Sequence, residues 1–220
     1  MSEAFERSRA LLGEAKMRAL ASAHVLVVGV GGVGSWCAEA LVRTGLGHIT
    51  LMDDDVVCES NINRQCPATA STVGRLKVEA LRSRLLEINP ACDVVAVAAR
   101  FVRFDATARF DAIVDAIDSV ECKAELIRGA VSAGVPIVSS MGAALRLDPT
   151  RIRVTRFDKV AGDGLARALR GRFRRLENPP KSFTCVWSDE PPRSCETRGS
   201  IMPVTAAFGL ALASEVMKLV

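Results

Sequence analysis

The stretch that decides the fold is HVLVVGVGGVGSW, from His24 to Trp36. Its first half is a short, continuous apolar run, as expected of a β-strand that is covered on both faces. Its second half, Gly29-Val-Gly31-Gly32-Val-Gly34, fits the pattern G-x-G-x-x-G between a strand and a helix. In that setting the glycines let backbone N–H groups approach a phosphate, and the helix N-terminus adds positive potential. The stretch therefore predicts a nucleotide site at the end of the first strand.

The rest of the first 140 residues alternates between strand-like and helix-like segments. Apolar runs predict further strands at positions 48–53, 94–98, 110–115 and 135–140. Helical periodicity between the runs predicts helices at 32–44, 73–87 and 121–133. This alternation predicts an α/β fold: a Rossmann-like, mostly parallel sheet with helices on both faces.

Beyond residue 141 the rhythm of the sequence changes. Residues 152–157 alternate like a strand with one face in water, and residues 164–176 predict a basic helix. Residues 183–200 have the proline, serine and charge of a loop, and a final helix follows. For 220 residues, of which 49% are hydrophobic, we expect a single domain over 1–220. Residues 1–140 would form a nucleotide-binding core, and 141–220 an extension for substrate or dimer contacts.

Composition argues against several classes of protein. The N-terminal segment MSEAFERSRALLGEAK is charged and lacks the apolar stretch of an export signal. The apolar segment 203–220 contains Glu215 and Lys218 and is shorter than the about 20 residues that span a bilayer. We therefore expect a buried helix there, no stable membrane span and a cytoplasmic protein. Seven cysteines without a CxxC pair argue against the commonest zinc frameworks, and the odd count argues against a disulfide scaffold.

Polar residues near the glycine loop distinguish the predicted site from that of a nicotinamide dehydrogenase. Asp53 ends the second strand, where one acid suffices to accept hydrogen bonds from ribose, so the run Asp53-Asp54-Asp55 leaves carboxylates for Mg²⁺. Arg64, within Asn61-Ile-Asn63-Arg64-Gln65, and Lys77, near the start of a helix, can meet phosphate charge. Asp118 either caps the helix that follows it or helps to hold the metal. Such a set suits a triphosphate with Mg²⁺ better than a dinucleotide.

These motifs resemble the family of ubiquitin-activating-like adenylating enzymes, which includes the bacterial ThiF and MoeB proteins. The matching segments are GVGGVGS (29–35), DDD (53–55), NINRQ (61–65), VGRLKVEA (73–80) and DAIDS (115–119). The resemblance implies adenylation of a carboxylate by ATP with Mg²⁺. It implies these nucleotide-binding residues: Gly29, Gly31, Gly32, Gly34, Asp53, Asp55, Asn61, Asn63, Arg64, Gln65, Lys77, Asp118 and Ser119. Among them Arg64, Lys77 and Asp118 would be catalytic, and Asp118 with Asp55 would position the metal.

Within the family, the chain is most similar to a subgroup of tRNA-modifying dehydratases. The likeness lies in FERSRALLG (5–13), GGVGSW (31–36), DAIDSV (115–120), LDPTRIRVT (147–155) and GSIMPVTAAFGLALA (199–213). It implies ATP-dependent cyclisation of the N6-threonylcarbamoyl group of an adenosine beside the tRNA anticodon, a homodimer and, in some members, peripheral association with the inner membrane. A sulfur-relay protein stays open as a further partner.

Two other functions stay open. The same fold can activate the C-terminus of a sulfur-carrier or ubiquitin-like protein, although enzymes of that kind usually carry two CxxC pairs, which this chain lacks. A non-catalytic scaffold that kept the nucleotide site is the other alternative, and the intact Arg64, Lys77 and Asp118 argue against it.

Three further features have both a structural and a functional interpretation. Arg7 is either a surface residue or, as the wider family implies, the arginine that reaches into the partner subunit's ATP site. Cys185 and Cys195, which we expect in the late loop, are either small packing residues or carriers of a thioester. The segment from Arg151 to Lys181 holds ten basic and three acidic residues, a local excess of +7 in a chain of net charge +4. Its helix would gather Arg167, Arg170 and Arg174 on one face, either as a solvated surface or as a contact with the tRNA backbone.

Overall fold

The order of the strands determines where this protein can bind a ligand, because ligands of such sheets bind at the carboxyl ends of parallel strands. The structure, a computed structural model, describes residues 3–105, 107–180 and 182–220. These residues form a seven-stranded sheet in the order β3-β2-β1-β4-β5-β7-β6. The strands are β1 (His24–Val28), β2 (His48–Met52), β3 (Asp93–Val97), β4 (Ala112–Asp115), β5 (Ile137–Ser140), β6 (Ile152–Arg156) and β7 (Thr184–Ser188). The pairs from β3 to β7 are parallel, and β6 joins the edge antiparallel to β7.

The helices begin and end close to the predicted positions. They are α1 (Glu6–Ser22), α2 (Gly34–Thr44), α3 (Lys77–Ile88), α4 (Val120–Ser132), α5 (Gly164–Phe173) and α6 (Met202–Leu219). The backbone of α1 leaves helical geometry at Gly13, where φ is 79°. Helix α3 starts four residues later than predicted, because turns at 72–75 precede it and Lys77 is its first residue.

The sheet is covered on both faces, as the sequence predicts for buried strands. On β1, Val25 and Val27 pack into one core with α2, α3 and α6, whereas Leu26 and Val28 pack into a second core with α4 and α5. Successive side chains of a strand point to opposite faces, so a strand between two helical layers must be apolar at every position. The predicted α/β fold is therefore confirmed.

One prediction about the fold is wrong. Residues 184–188, expected within a loop, form β7 between β5 and β6, and Cys185, Val186 and Trp187 are buried. The run TCVWS is as long as the strands that were predicted, but prolines and charges lie close to it on both sides, so the whole segment has the composition of a loop. Lys181, the last residue of the predicted basic segment, lies outside the described residues, as do Met1 and Ser2.

The C-terminal helix is packed against α2 along one face. Val204, Phe208, Leu212 and Val216, spaced by four residues, are buried at this contact. In the described chain, α6 is also the helix whose length and mean hydropathy suit a membrane crossing, and 44% of it is buried inside the protein. The burial agrees with the predicted core helix.

The contact between α2 and α6 requires a glycine. A β-carbon at Gly209 would lie 2.5 Å from the carbonyl oxygen of Val33 and 2.9 Å from the amide nitrogen of Cys37. We predict that Gly209→Ala lowers the free energy of unfolding by about 1–3 kcal/mol, because backbone atoms cannot yield as a side chain can. Gly171→Ala on α5 is the matched control, since no atom lies within 4 Å of its added carbon and alanine favours a helix by about 1 kcal/mol. Urea denaturation that ranks the two variants equally would contradict this packing.

Candidate active site

A cleft of about 870 Å³ opens where the parallel strands end. Val28 ends β1, Met52 ends β2 and Ser140 ends β5, and all three line the cleft together with Ala116, which follows β4. Ligands of open α/β sheets bind outside the carboxyl ends of the strands, so the fold places its crevice in the expected position.

Several helices direct their N-termini at this cleft. Lys77 of α3, Val120 of α4 and Gly164 of α5 are the first residues of their helices, and each lines the cleft. Helix α2 begins at Gly34, immediately behind the glycine loop. Because the N-terminus of a helix carries positive partial charge and free N–H groups, this arrangement favours an anion such as a phosphate chain.

The four glycines of the loop have different roles. Gly29 has φ of 86°, and a β-carbon there would lie 2.7 Å from the carbonyl oxygen of Ala116. Gly34 is buried, and its β-carbon would lie 1.9 Å from the oxygen of Gly29, so it permits the turn into α2. Gly31 and Gly32 line the cleft. Gly34 does not line the cleft and has a packing role, so its contact with a nucleotide stays a prediction, whereas Gly29, Gly31 and Gly32 form the wall of the cleft.

The acidic run after β2 both shapes the loop and faces the cleft. Asp53 accepts hydrogen bonds from the backbone N–H of Val30 at 2.8 Å and of Asp55 at 2.9 Å, so it ties the glycine loop to the end of β2. The carboxylates of Asp53, Asp54 and Asp55 lie within 4.8 Å of one another. Asp118 lies outside that group and is exposed on the cleft wall. It does not cap α4, whose N-cap is Ser119, so its carboxylate is free to face a ligand.

The segment that carries Arg64 is held in place by α2. The indole N–H of Trp36 donates to the carbonyl of Arg64 at 2.9 Å, and the hydroxyl of Ser35 accepts from the N–H of Cys66 at 3.1 Å. The Cys66 thiol donates to Glu39 at 2.7 Å. Burial acts to raise the pKa of Glu39, but hydrogen bonds from Arg84, Cys66 and Arg43 outweigh it and lower the pKa to about 2. Glu39 therefore stays ionised and accepts the hydrogen bond from Cys66, which holds the segment in place. Arg64, on this segment, is half-buried and lines the cleft.

Lys77 lines the cleft but is not a freely exposed side chain. It is only 6% exposed, and its ammonium donates to the carboxylate of Asp55 at 2.6 Å. The side chain of Asp55 is 66% exposed, so this ion pair has one buried and one solvated partner. An ammonium group has three donors, which leaves Lys77 able to keep Asp55 and bind a phosphate oxygen as well.

Gln65 supplies evidence that the cleft is built for a polar ligand. It is buried and lines the cleft, and its side-chain oxygen has no hydrogen-bond partner among the described residues. A buried polar atom without a partner costs about 1–3 kcal/mol, so native proteins rarely keep one unless something binds to it. A hydroxyl or amino group of a nucleotide fits this acceptor.

Behind the cleft lies a fully buried ion pair. Asp115, at the end of β4, accepts hydrogen bonds from the ammonium of Lys123 at 2.7 Å and from the hydroxyl of Ser139 at 2.6 Å. Neither partner of the ion pair has exposed side-chain surface. The other carboxylate oxygen accepts from the N–H of Ile117 at 3.2 Å. The group joins β4, β5 and α4 and fixes the turn that presents Asp118.

Two basic residues of the cleft were not anticipated from the sequence. Arg100 follows β3, and Cys122 together with the carboxylates of Asp54 and Asp118 raises the pKa of its guanidinium. Arg198 lines the cleft from the loop before α6. Neither belongs to a recognisable motif. The position of Arg100, just past the carboxyl end of a strand, could have indicated that it belongs to the site. For Arg198 there is no such indication, because nothing in the sequence shows that the loop at 198 folds over the site.

The remaining predicted residues lie away from the cleft wall. Asn63 is exposed, and its amide donates to the carbonyl of Ser200 at 2.9 Å, so it links the Arg64 segment to the late loop. Arg7 is exposed on α1, and its predicted role in a partner subunit stays a prediction. Cys185 is buried in β7, where burial raises the pKa of its thiol well above the usual range, and Cys195 is exposed in the late loop.

Comparison with known proteins agrees with the site. The sequence matches the ThiF family over residues 5–220. The chain belongs to the ThiF family. It is 44% identical to the tRNA threonylcarbamoyladenosine dehydratase of Escherichia coli, over 94% of this chain and 90% of that protein. It is 37% identical to the enzyme of the same name from Bacillus subtilis, over 87% and 77%. The structure of the E. coli dehydratase TcdA in complex with ATP superposes with a TM-score of 0.93, at 38% identity, over 98% of this chain and 93% of that one.

The buried pair yields a prediction about stability. Lys123→Met leaves the carboxylate of Asp115 buried without its counter-charge, and we expect a loss of about 3–5 kcal/mol in the free energy of unfolding. Adding Asp115→Asn removes the orphaned charge and should restore part of that loss. In the control Lys218→Met, the exposed pair with Glu215 is broken and the cost should stay below about 1 kcal/mol. The measurement is urea denaturation; similar costs for the two lysines would contradict the role given to Lys123.

Proposed function

We propose that the protein is an ATP-dependent tRNA threonylcarbamoyladenosine dehydratase, which cyclises the N6-threonylcarbamoyl group of adenosine in tRNA through an acyl-adenylate. The observation that carries the proposal is the grouping of Arg64, Lys77 and Asp118 around the glycine loop in one cleft. The likeness to the E. coli dehydratase over nearly the whole chain supports this reaction in preference to activation of a carrier protein.

The chemistry explains why these residues are needed. The carboxylate of the threonyl group cannot lose an oxygen at neutral pH, because oxide is a very poor leaving group. The carboxylate oxygen attacks the α-phosphorus of ATP and pyrophosphate leaves, so this oxygen becomes part of a good leaving group, AMP. The carbamoyl group of the same nucleoside then closes on the activated carbonyl and loses a proton to solvent, and AMP departs with the oxygen. The second step is intramolecular and needs no protein nucleophile, and its proximity contributes roughly 7–11 kcal/mol when well oriented.

The residues of the cleft have separate roles in this reaction. The backbone of Gly29, Gly31 and Gly32 accommodates the phosphate chain at the N-terminus of α2. Arg64 and Lys77 stabilise the negative charge that develops on the phosphoryl oxygens when the carboxylate attacks. Asp53 and Gln65 accept hydrogen bonds from the nucleoside, while Asn61 shapes the segment by accepting from the N–H of Cys58 at 3.1 Å.

The acidic residues fit a bound Mg²⁺. Carboxylate oxygens are its preferred protein ligands, and Asp54, Asp55 and Asp118 are exposed on the cleft wall. Of these, Asp118, which caps no helix and does not pair with Lys77, would hold the ion together with Asp55. When bound, Mg²⁺ supplies positive charge that counters the phosphate oxygens.

Assembly and location belong to the same proposal. We propose a homodimer in which Arg7 of one protomer reaches the ATP site of the other. Its exposure on α1, away from the cleft of its own chain, agrees with this role. A tRNA substrate places the enzyme in the cytoplasm.

The decisive experiment uses purified protein and tRNA that carries N6-threonylcarbamoyladenosine. Incubation with ATP and Mg²⁺ should convert this nucleoside to its cyclic form, as detected by mass spectrometry of nucleosides prepared without mild base, which reopens the ring. Omission of ATP is the control. Absence of cyclic product, combined with ATP–pyrophosphate exchange that requires a carrier protein, would reject the proposal in favour of carrier activation.

The proposed roles of Arg64 and Lys77 are open to a kinetic test. We predict that Arg64→Ala and Lys77→Met each lower kcat/KM by about 10²–10³, the usual effect of removing one group that stabilises transition-state charge. Methionine is chosen at Lys77 because the stem of that lysine is buried. Lys218→Ala, exposed on α6, should keep wild-type kinetics. A folded Arg64 or Lys77 variant with near wild-type turnover would remove that residue from the mechanism.

The mechanism predicts that no cysteine is essential. Cys185→Ala and Cys195→Ala, singly and together, should retain dehydration within about twofold, because ring closure needs only the activated carbonyl. The high pKa of the buried Cys185 thiol also opposes thiolate formation. If a variant shown by circular dichroism to be folded loses all activity, a thioester step must be reconsidered.

A further inference from the structure

Helix α5 forms part of the cleft and extends beyond it. Gly164, Leu165 and Ala168 line the cleft, while Ala166, Leu169 and Phe173 are buried against the sheet. The helix therefore has one face in the core and another along the cleft. Any residue that continues the second face lies on a path leading out of the ATP site.

Arg170 does not belong to a binding surface. Its guanidinium donates to the carbonyls of Phe157 and Val160 and lies 5.1 Å from the centre of the Phe157 ring. The predicted basic face of Arg167, Arg170 and Arg174 is therefore wrong at its central member. Arg170 ties α5 to the segment that follows β6, a structural role.

The spacing of the other arginines assigns them to two sides of α5. Arg172 lies seven residues after Leu165 and four after Ala168, so it continues the cleft-lining face of α5. Arg175 lies in the turn just after the helix ends at Phe173, and its backbone N–H donates to the carbonyl of Arg172, which keeps it beside that residue. Arg167 and Arg174, seven residues apart, share the other side. All four are exposed, and none makes an ion pair with a residue that the structure describes.

Other arginines of the basic segment already have acidic partners. Arg151 and Arg153 both pair with Asp189, and Arg156 pairs with Asp158. The cleft itself has a further arginine, Arg198, which forms no ion pair with the described residues. Its loop is anchored after Arg198, where the carbonyl of Ser200 accepts from Asn63 and that of Gly199 accepts from the N–H of Leu145 at 2.9 Å, and before it, where the N–H of Arg193 donates to the carbonyl of Leu145 at 2.9 Å.

We propose that Arg172 and Arg175, together with Arg198, bind the sugar-phosphate backbone of tRNA on either side of the modified adenosine. The assignment rests on the proposed function and names the surface by which its substrate is held. Guanidinium groups bind phosphate through paired N–H donors, and phosphate contacts set the register of a nucleic acid without reading its sequence. Arg198 lines the cleft, and Arg172 and Arg175 follow the cleft-lining residues of α5, whereas Arg167 and Arg174 lie on another side of the helix and do not contribute.

The chain offers a matched test on one helix. Arg172→Gln/Arg175→Gln and Arg167→Gln/Arg174→Gln each remove two exposed positive charges. The dissociation constant for tRNA is measured by fluorescence anisotropy across a salt series, and ATP binding is measured by calorimetry. Each phosphate contact contributes about 0.7–0.9 to the slope of log K against log salt. We expect the first double variant to flatten the slope by about 1.4–1.8 and to weaken binding at least tenfold at about 50 mM salt. The second should stay within twofold of wild type, and both should bind ATP normally.

The outcomes separate this inference from the proposed function. If wild type dehydrates tRNA and both double variants lose binding equally, the assignment to the cleft-side face is overturned while the enzyme's function stands. The same conclusion follows if Arg167→Gln/Arg174→Gln has the larger effect. If wild type binds no tRNA, or binds an acidic carrier protein instead, the proposed function and this surface fail together. An Arg198→Gln variant tests the third contact and should flatten the slope by about 0.7–0.9.

Discussion

The site depends on a carboxylate that has no contact with water. Asp115 ends β4 in the middle of the sheet, and Lys123, Ser139 and the N–H of Ile117 satisfy it. Removing charge from water is costly, so the pair is stable only with these partners in place. They come from α4, from β5 and from the turn that carries Asp118, and the backbone of that turn packs against Gly29. One buried interaction thus sets the positions of the glycine loop and of the acid proposed to bind Mg²⁺.

Helix α2 supplies the second constraint. Its first turn begins behind the glycine loop, and the side chains of Ser35, Trp36 and Glu39 hold the segment that contains Arg64 and Gln65. Helix α6 packs against α2 at Gly209. The loop before α6 carries Arg198 into the cleft. A single helix therefore connects the phosphate-binding loop, the basic segment and the C-terminal extension, which explains why residues distant in sequence form one site.

Strands with a clear apolar pattern, and the motifs that directly follow them in sequence, were predictable. The apolar run of β1, the glycines after it and the acids after β2 gave the fold and much of the cleft, because parallel strands bring their carboxyl ends together. Strand β7 was missed because the prolines and charges around it give the segment the composition of a loop. Three other features depend on tertiary contacts. Lys77 is buried where it pairs with Asp55, and Gly34 packs against the backbone of Gly29. The side chain of Arg170 lies over the ring of Phe157 and not in solvent. No local pattern records these contacts.

The central claim is that this glycine loop serves a triphosphate and not a dinucleotide. Isothermal titration calorimetry of the purified protein with ATP and Mg²⁺, and separately with NAD, tests it directly. The account predicts saturable binding of ATP that is strongly weakened in Arg64→Ala, and no measurable binding of NAD. Tight binding of NAD without binding of ATP would contradict it and would indicate a dinucleotide site like that of a dehydrogenase.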